Sequence, residues 1–174
     1  MPKTYKFKML LLGDPAVGKT TLVTKFVHGK FSGDYKMTIG VDIMRKDIII
    51  NKNQVILSIW DIAGQDRFRN FRNIFYKGSS GALIVFDLTR QSSFENLNKW
   101  IKELKEFTNN TTPFIIIGNK SDLIDMRMIK KEEIIKFSDQ NNYKFIETSA
   151  KTGEGVDDSF FELAKIKLNS IDKN

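Results

Sequence analysis

The sequence predicts an α/β fold: a six-stranded, mostly parallel sheet with one antiparallel edge strand and helices on both faces. Six short apolar segments alternate with longer segments in which apolar residues recur every three or four positions. Strands that are apolar throughout and alternate with helices form parallel sheets covered on both faces. The polar turn 51–53 joins the second and third segments, so we expect these two strands to pair antiparallel.

The individual elements follow this pattern along the chain. The predicted strands are residues 7–12, 41–50, 55–61, 81–87, 114–119 and 145–148. Helices are predicted where apolar residues share one face, at residues 22–27 (ending near Gly29), 94–104, 134–137 and 156–168. Ligands of such sheets bind at the carboxyl ends of the strands, and the polar motifs described below all follow predicted strand ends.

The length and composition indicate one globular domain over residues 1–174, with a monomer as the simplest state. A chain of 174 residues buries about 70% of the surface that its unfolded form exposes, which is enough for one core. The sequence contains no cysteine, which excludes a disulfide framework, a thiolate metal site and lipidation at cysteine. It also lacks a signal-peptide pattern and an apolar run of membrane-spanning length, so we expect a cytoplasmic protein.

The net charge of +7 raises the alternative of nucleic-acid binding. The lysines are spread along the chain, and neither an arginine-rich block nor a pair of stacking aromatic residues accompanies them. We therefore expect a solvated basic surface and no nucleic-acid partner. Weak attraction to anionic membrane surfaces stays open.

Residues 13–20 read Gly-Asp-Pro-Ala-Val-Gly-Lys-Thr and follow the first strand. This pattern, here called the phosphate loop, wraps backbone N–H groups around phosphates, and the following helix adds its positive dipole end. Lys19 is expected to neutralise the β- and γ-phosphates, and the Thr20 hydroxyl to ligate Mg²⁺. The predicted nucleotide-binding residues of this loop are Asp14, Pro15, Ala16, Val17, Gly18, Lys19, Thr20 and Thr21.

Residues 60–65, at the end of the third strand, carry a second phosphate-site pattern, Trp-Asp-Ile-Ala-Gly-Gln. Asp61 is placed to hold Mg²⁺ through water, because an acidic residue at such a strand end serves this role beside a phosphate loop. Gly64 allows the backbone to approach the γ-phosphate, and Gln65 is placed to orient the attacking water. Taken alone, an aspartate at a strand end is as often a helix cap or a turn residue.

Residues 119–122, Asn-Lys-Ser-Asp, and residues 148–151, Thr-Ser-Ala-Lys, follow the fifth and sixth strands. We call them the two base loops. The Asp122 carboxylate can accept hydrogen bonds from the N1–H and 2-amino groups of guanine, which adenine lacks, and such pairing discriminates strongly. Asn119 is expected to tie its loop to the phosphate loop. The other predicted base-site residues are Lys120, whose stem lies on the purine, and Ser149, Ala150 and Lys151.

With these motifs in this order, the chain resembles the small GTPases of the Ras superfamily over about residues 5–170. Its similarity to the Rab proteins rests on residues 39–42 (Ile-Gly-Val-Asp), 63–68 (Ala-Gly-Gln-Asp-Arg-Phe), 75–78 (Phe-Tyr-Lys-Gly) and 85–89 (Val-Phe-Asp-Leu-Thr). The resemblance implies a P-loop NTPase fold of the small G-protein type. It also implies binding of GTP and GDP with Mg²⁺, slow GTP hydrolysis and a role in membrane trafficking or related signalling.

The resemblance also implies roles for individual residues. Thr38 is then the threonine of switch I, which ligates Mg²⁺ and contacts the γ-phosphate. Phe31 contacts the guanine and Tyr35 covers the phosphates. The catalytic set is Gln65, Lys19 and Thr38, and residues of about 31–43 and 63–78 form the two switches. Effector, exchange-factor and GTPase-activating proteins are expected to bind through these switches.

Pro15 is the departure from the family pattern that bears most on activity. Proline removes one N–H of the loop and fixes φ, and its ring stands where an activating partner's arginine would enter. A nucleotide-binding protein without efficient hydrolysis is therefore the alternative to a working GTPase. A phosphate-loop kinase is a weaker rival, since no acceptor-binding insertion or arginine-bearing lid interrupts the chain.

Overall fold

A six-stranded sheet forms the centre of the computed structural model, which describes residues 1–33 and 36–171, with the backbone alone at residues 68–70. The strands are β1 (Thr4–Leu12), β2 (Val41–Ile50), β3 (Asn53–Ile62), β4 (Gly81–Asp87), β5 (Phe114–Asn119) and β6 (Phe145–Thr148). Their order in the sheet is β2-β3-β1-β4-β5-β6. Strand β2 pairs antiparallel with β3, and the other neighbouring strands pair parallel. The predicted fold class, including the antiparallel edge strand, is confirmed.

The helices are α1 (Lys19–His28), α2 (Arg69–Tyr76), α3 (Gln91–Glu95), α4 (Leu97–Phe107), α5 (Lys131–Asn141) and α6 (Val156–Ile171). Two short 3₁₀ helices, Asp66–Phe68 and Ile124–Met126, lie in the connections. The prediction of one helix over residues 94–104 was wrong in its continuity, because α3 and α4 are separate helices on either side of Asn96. Helix α2 was not predicted.

The two faces of the sheet carry two apolar cores because side chains alternate along each strand. Leu83 and Val85 of β4 face the core beneath α1 and α6, whereas Ile84 and Phe86 face the core beneath α4 and α5. All four side chains are at most 1% exposed. Helices therefore cover both faces, as predicted.

The parallel pairing brings the carboxyl ends of five strands, β1 and β3 to β6, to one edge of the sheet. The loops that follow these strands meet there, and the phosphate loop and both base loops are among them. Across residues 1–33 and 36–171, none of the helices is both long enough and apolar enough to cross a membrane.

Candidate nucleotide-binding site

A cleft of about 550 Å³ lies at this edge of the sheet. Its volume is within the usual range of small-molecule sites. Most of the residues predicted for binding or catalysis line it: Pro15, Ala16, Gly18, Lys19, Thr20, Thr21, Phe31, Thr38, Gly64, Gln65, Asn119, Lys120, Asp122, Ala150 and Lys151. The topology thus brings together five separate segments of the sequence.

Four further predicted residues, Asp14, Val17, Asp61 and Ser149, lie beside the cleft and not on its wall. The Asp14 side chain turns toward α4, and Val17 is fully buried in the core. Ser149 is also fully buried, and its Oγ donates to Asp122 Oδ1 at 2.6 Å, so that it acts on the cleft through Asp122. Tyr35 lies outside the described residues.

The cleft also has lining residues that the sequence analysis did not single out: Thr24, Ser32, Gly33, Lys36, Met37, Ala63 and Leu123. Some of them carry a signal that could have been used. Thr24 lies one helical turn beyond Thr20, on the same face of α1. Leu123 directly follows Asp122 in the chain.

The phosphate loop is shaped by close backbone contacts. Gly18 has φ of 95°, and a Cβ there would lie 2.3 Å from Asn119 Nδ2, so both the conformation and the space require glycine. The Asn119 amide itself donates to the Val17 carbonyl at 3.0 Å. The first base loop is therefore joined to the phosphate loop by a direct hydrogen bond.

The Lys19 ammonium group is held inside the loop. Its Nζ donates to the carbonyl oxygens of Gly13 and Asp14, each at 2.8 Å, and the residue is 6% exposed. Burial lowers the pKa of Lys19 to about 8, although the Asp61 and Asp14 carboxylates act in the opposite direction. The positive charges of Arg72 and Arg90 lower this pKa further. An anion bound in the loop would offset the cost of this buried charge.

Three oxygen-bearing side chains meet beside Lys19. The Thr20 and Thr38 hydroxyls lie 2.9 Å apart, and both donate to Asp61 Oδ2, the Thr38 bond measuring 3.3 Å. Asp61 is fully buried, and its Oδ1 has no hydrogen-bond partner within the described part of the chain. Burial raises the pKa of this carboxyl, although the Lys19 ammonium and the two threonine hydroxyls act in the opposite direction. The hard oxygen donors and the orphaned carboxylate oxygen fit Mg²⁺.

This oxygen set is small, as Mg²⁺ sites beside phosphates usually are. Among the residues that the structure describes, no group of three His, Cys, Asp or Glu side chains could hold a metal alone. Mg²⁺ in nucleotide sites takes one or two protein ligands and completes its shell with phosphate oxygens and water. Thr20 and Thr38 as direct ligands, with Asp61 acting through water, would match that pattern.

Gly64 lies against the phosphate loop. A Cβ at this residue would fall 2.3 Å from the Gly13 carbonyl oxygen and 2.8 Å from the Pro15 nitrogen, so any side chain would push the two segments apart. The half-buried side chain of Gln65 follows directly and lines the cleft. The chain thus brings the Gln65 amide to the phosphate end of the cleft.

The base loops are fixed by hydrogen bonds among themselves. Thr148 Oγ1 donates to Asn119 Oδ1 at 3.0 Å, which joins the two loops through buried groups. Lys120 Nζ pairs with Asp87 Oδ2 at 2.5 Å and donates to the Ala16 carbonyl at 3.2 Å. The Ser149 bond orients Asp122, and the two Lys120 contacts hold the Lys120 stem over the cleft. The base loops are therefore ordered by contacts within the protein.

Residues that follow β4 brace the phosphate loop from outside. Asp14 Oδ1 accepts a hydrogen bond from Trp100 Nε1 at 2.8 Å, and its Oδ2 accepts one from Asn96 Nδ2 at 2.7 Å. Arg90 Nη2 donates to the Pro15 carbonyl at 2.7 Å. The sequence analysis missed these three donors, because nothing in their local sequence points to the loop.

A strand–loop–helix phosphate cradle and a separate pair of base loops, on this sheet topology, define a nucleotide-binding protein of the P-loop class. Comparison with known proteins identifies the family, since residues 8–169 match the Ras family. The chain belongs to the Ras family of small GTPases, and within it the chain is Rab-like.

Its relatives support the Rab likeness. The GTP-binding protein ypt3 of Schizosaccharomyces pombe is 41% identical over 156 residues, which are 90% of this chain and 73% of that protein. Ras-related protein Rab-2B of Dictyostelium discoideum is 39% identical over 97% of this chain and 83% of its own length. Ras-related protein Rab-8B of Homo sapiens is 38% identical over 99% of this chain and 84% of its own length.

The pKa of Lys19 predicts how GDP binding depends on pH. Bound phosphates favour the charged ammonium, so above pH 8 the free protein must take up a proton in order to bind. We expect the affinity for GDP to fall by up to about tenfold per pH unit from pH 8 to 9.5, as measured by fluorescent-nucleotide titration. Lys19→Arg stays charged throughout and should bind more weakly but with a flatter profile. Any titration of the nucleotide itself affects both proteins alike. Equal slopes for the two proteins would therefore mean that Lys19 is not the titrating group, which would contradict the prediction.

Proposed function

We propose that this protein is a guanine-nucleotide switch: a single domain that binds GTP and GDP with Mg²⁺ and slowly hydrolyses GTP to GDP and phosphate. One observation carries the proposal. The buried cation of Lys19 and the carboxylate of Asp122 line the same cleft, one at its phosphate loop and one at its base loops. A phosphate site and a guanine acceptor that line one cleft of about 550 Å³ suit a whole nucleotide.

The phosphate end of the cleft supplies backbone N–H groups, a cation and hydroxyl groups. Lys19 would leave its carbonyl partners for the β- and γ-phosphates, which are stronger acceptors because they are charged. Thr20 and Thr38, with Asp61 acting through water, would hold Mg²⁺. A bound Mg²⁺ neutralises charge on the phosphates.

The base end supplies selectivity. Ser149 donates to one carboxylate oxygen of Asp122 and leaves the carboxylate free to accept the two N–H donors of guanine. The buried Ala150 lines the cleft beside it, so that its N–H can donate to the guanine O6. Phe31, 46% exposed, and the stem of Lys120 provide the apolar surfaces that contact the purine ring.

Hydrolysis requires a water molecule in line with the leaving phosphate oxygen. Gln65 and the carbonyl of Thr38 would position this water, while Lys19 and the loop amides stabilise the developing charge. Turnover by the chain alone should be slow, because residues 31–43 contain no arginine. An arginine from a partner typically adds about 10³- to 10⁵-fold in rate.

The switch segments present the surface on which partners would bind. Ile39 and Ile43 are 73% and 50% exposed, and Phe71 and Ile74 are 63% and 65% exposed. Exposed apolar clusters of this kind mark protein interaction sites. Because these residues belong to the two switch segments, whose Thr38 and Gln65 line the cleft, loss of the γ-phosphate would change the surface, which is the signal that effectors read. Exchange factors and GTPase-activating proteins would use the same segments.

Membership of the Ras family, with Rab relatives, supports a role in membrane trafficking or related signalling. The proposed location is the cytoplasm, with peripheral attachment to membranes, and the proposed state is a monomer. The net charge of +7 would favour anionic membrane surfaces. No nucleic-acid partner is proposed.

A nucleotide-binding protein without efficient hydrolysis is the second candidate, and Pro15 favours it. Pro15 removes one N–H from the phosphate loop, and the Arg90 guanidinium holds its carbonyl. The hydrolysis measurement on Gln65 described below separates the two candidates.

Base selection can be tested by Asp122→Asn. The amide replaces one acceptor by a donor, which no longer suits the 2-amino group of guanine but suits the 2-oxo group of xanthine. We expect the affinity for GDP to fall by about 10²-fold or more and the affinity for xanthosine diphosphate to rise. Competition against a fluorescent nucleotide measures both, with Asp125→Asn, at an exposed residue of the nearby 3₁₀ helix Ile124–Met126, as the control. An unchanged preference for GDP would contradict this role of Asp122.

Hydrolysis can be tested by Gln65→Leu in a single-turnover assay with GTP. Loss of the amide that orients water should slow hydrolysis by about tenfold or more, or about 1.4 kcal/mol in the barrier, with GDP affinity changed less than about twofold. Gln140→Leu, an exposed glutamine on α5, is the matched control. A parent chain that holds GTP without hydrolysing it would support the second candidate. A Gln65→Leu protein as fast as its parent would mean that another group positions the water.

A further inference from the structure

A buried ion pair joins α2 to α4. Arg72 Nε and Nη2 donate to Glu103 Oε1 and Oε2 at 2.8 and 2.9 Å, so the pair is bidentate. The Arg72 side chain is 0% exposed and that of Glu103 is 4% exposed. Charged side chains are rarely buried to this degree, and neither Arg72 nor Glu103 lines the nucleotide cleft.

Neighbouring groups fix the plane of the guanidinium. Its carbon lies 4.5 Å from the centre of the Trp100 ring, close enough for a cation–π contact. Tyr76 Oη donates to Glu103 Oε1 at 2.9 Å. Burial and the Glu103 carboxylate raise the pKa of Tyr76, so the hydroxyl keeps its proton and remains a donor. The orientation of the Arg72 fork is therefore set from three sides.

The remaining arm of this fork points at the catalytic segment. Arg72 Nη1 donates to the main-chain carbonyl of Gln65 at 3.1 Å. Because the N–H groups of a guanidinium are fixed in one plane, the orientation of Arg72 fixes the position of the carbonyl that accepts from it. Trp100 also donates to Asp14 of the phosphate loop at 2.8 Å. Helix α4 is thus tied both to the loop that holds the phosphates and, through Arg72, to the main chain of Gln65.

Stability alone does not explain why this position carries an arginine. A buried ion pair is often no more stabilising than apolar residues of similar size, because both charges lose their hydration. An apolar pair could join α2 to α4 equally well, but it could not donate to the Gln65 carbonyl. The donated hydrogen bond is what arginine adds here.

We propose that Arg72, oriented by Glu103, is a positioning residue for GTP hydrolysis: it fixes the main chain of Gln65 against α4 and thereby places the Gln65 amide at the phosphate end of the cleft. The inference rests on the proposed function, since it assigns a second residue to the same step. Arg72 does not line the cleft, and its direct contact with the catalytic segment is the hydrogen bond to the Gln65 carbonyl.

The double variant Arg72→Met/Glu103→Gln tests this role without leaving one charge buried alone. The amide introduced by Glu103→Gln still offers an acceptor to Tyr76, so we expect a folded protein whose thermal midpoint and GDP dissociation rate match those of the parent. Single-turnover GTP hydrolysis should fall about tenfold or more. Arg72→Lys keeps the charge but loses the planar fork, so its rate should lie between those of the parent and the double variant.

A second ion pair provides the matched control. Arg127 forms a bidentate pair with Glu147, at 2.9 and 2.6 Å, and its Nε donates to the Ile129 carbonyl at 2.8 Å, so this fork is engaged away from Gln65. Arg127→Met/Glu147→Gln should hydrolyse GTP at the parental rate. A control variant as slow as the Arg72 variant would show that loss of any such pair slows the protein, which overturns the positioning role.

The most selective readout is a double-mutant cycle with Gln65→Leu. If Arg72 acts only through Gln65, adding Arg72→Met/Glu103→Gln to Gln65→Leu should slow hydrolysis no further, whereas a general structural role would multiply the two effects. A multiplied effect, or a double variant as fast as its parent, overturns the positioning role alone. A parent chain that binds GTP without hydrolysing it overturns the proposed function, and this inference with it.

Discussion

The ammonium group of Lys19 lies almost out of contact with water, between two carbonyl oxygens of its own loop. Burying a cation there costs free energy, as its pKa of about 8 records, and two neutral carbonyls compensate only part of that cost. An anion bound in the surrounding loop would therefore offset part of this cost. The other features of the site either shape this loop or would select the base that is attached to the phosphates.

The shape of the loop is imposed from several directions by residues that are distant in the sequence. Gly64 presses on it from the end of β3, and the Asn119 amide holds it from the base loops. Asp14 accepts a hydrogen bond from Trp100 of α4. In the proposed function, each contact would couple a different role to the phosphates. These roles are hydrolysis through Gly64, base selection through Asn119, and the placement of α2 through Trp100, which also stacks on Arg72. The site is thus preorganised by packing, which is what electrostatic catalysis requires.

Local sequence predicted most of the fold and most of the cleft, because both depend on short-range patterns. Apolar strands were visible as runs, and the phosphate and base loops carry fixed spacings that follow strand ends. Helix α2 escaped prediction because its pattern is inverted: Phe71 and Ile74 face solvent while Arg72 is fully buried. The break at Asn96 was missed because its side chain bonds to Asp14, 82 residues away. The Arg72–Glu103 pair depends on the docking of two helices, which no local pattern encodes.

The nucleotide that the purified protein carries tests the central claim most directly. The protein would be prepared in Mg²⁺ without added nucleotide and denatured, and the released nucleotide identified and quantified by ion-pair chromatography. Near-stoichiometric GDP is the expected result, because it requires the phosphate loop, guanine selection by Asp122 and turnover of GTP together. Recovery of ATP or ADP would contradict the account, since the cleft would then bind phosphates without the base recognition assigned to its second half.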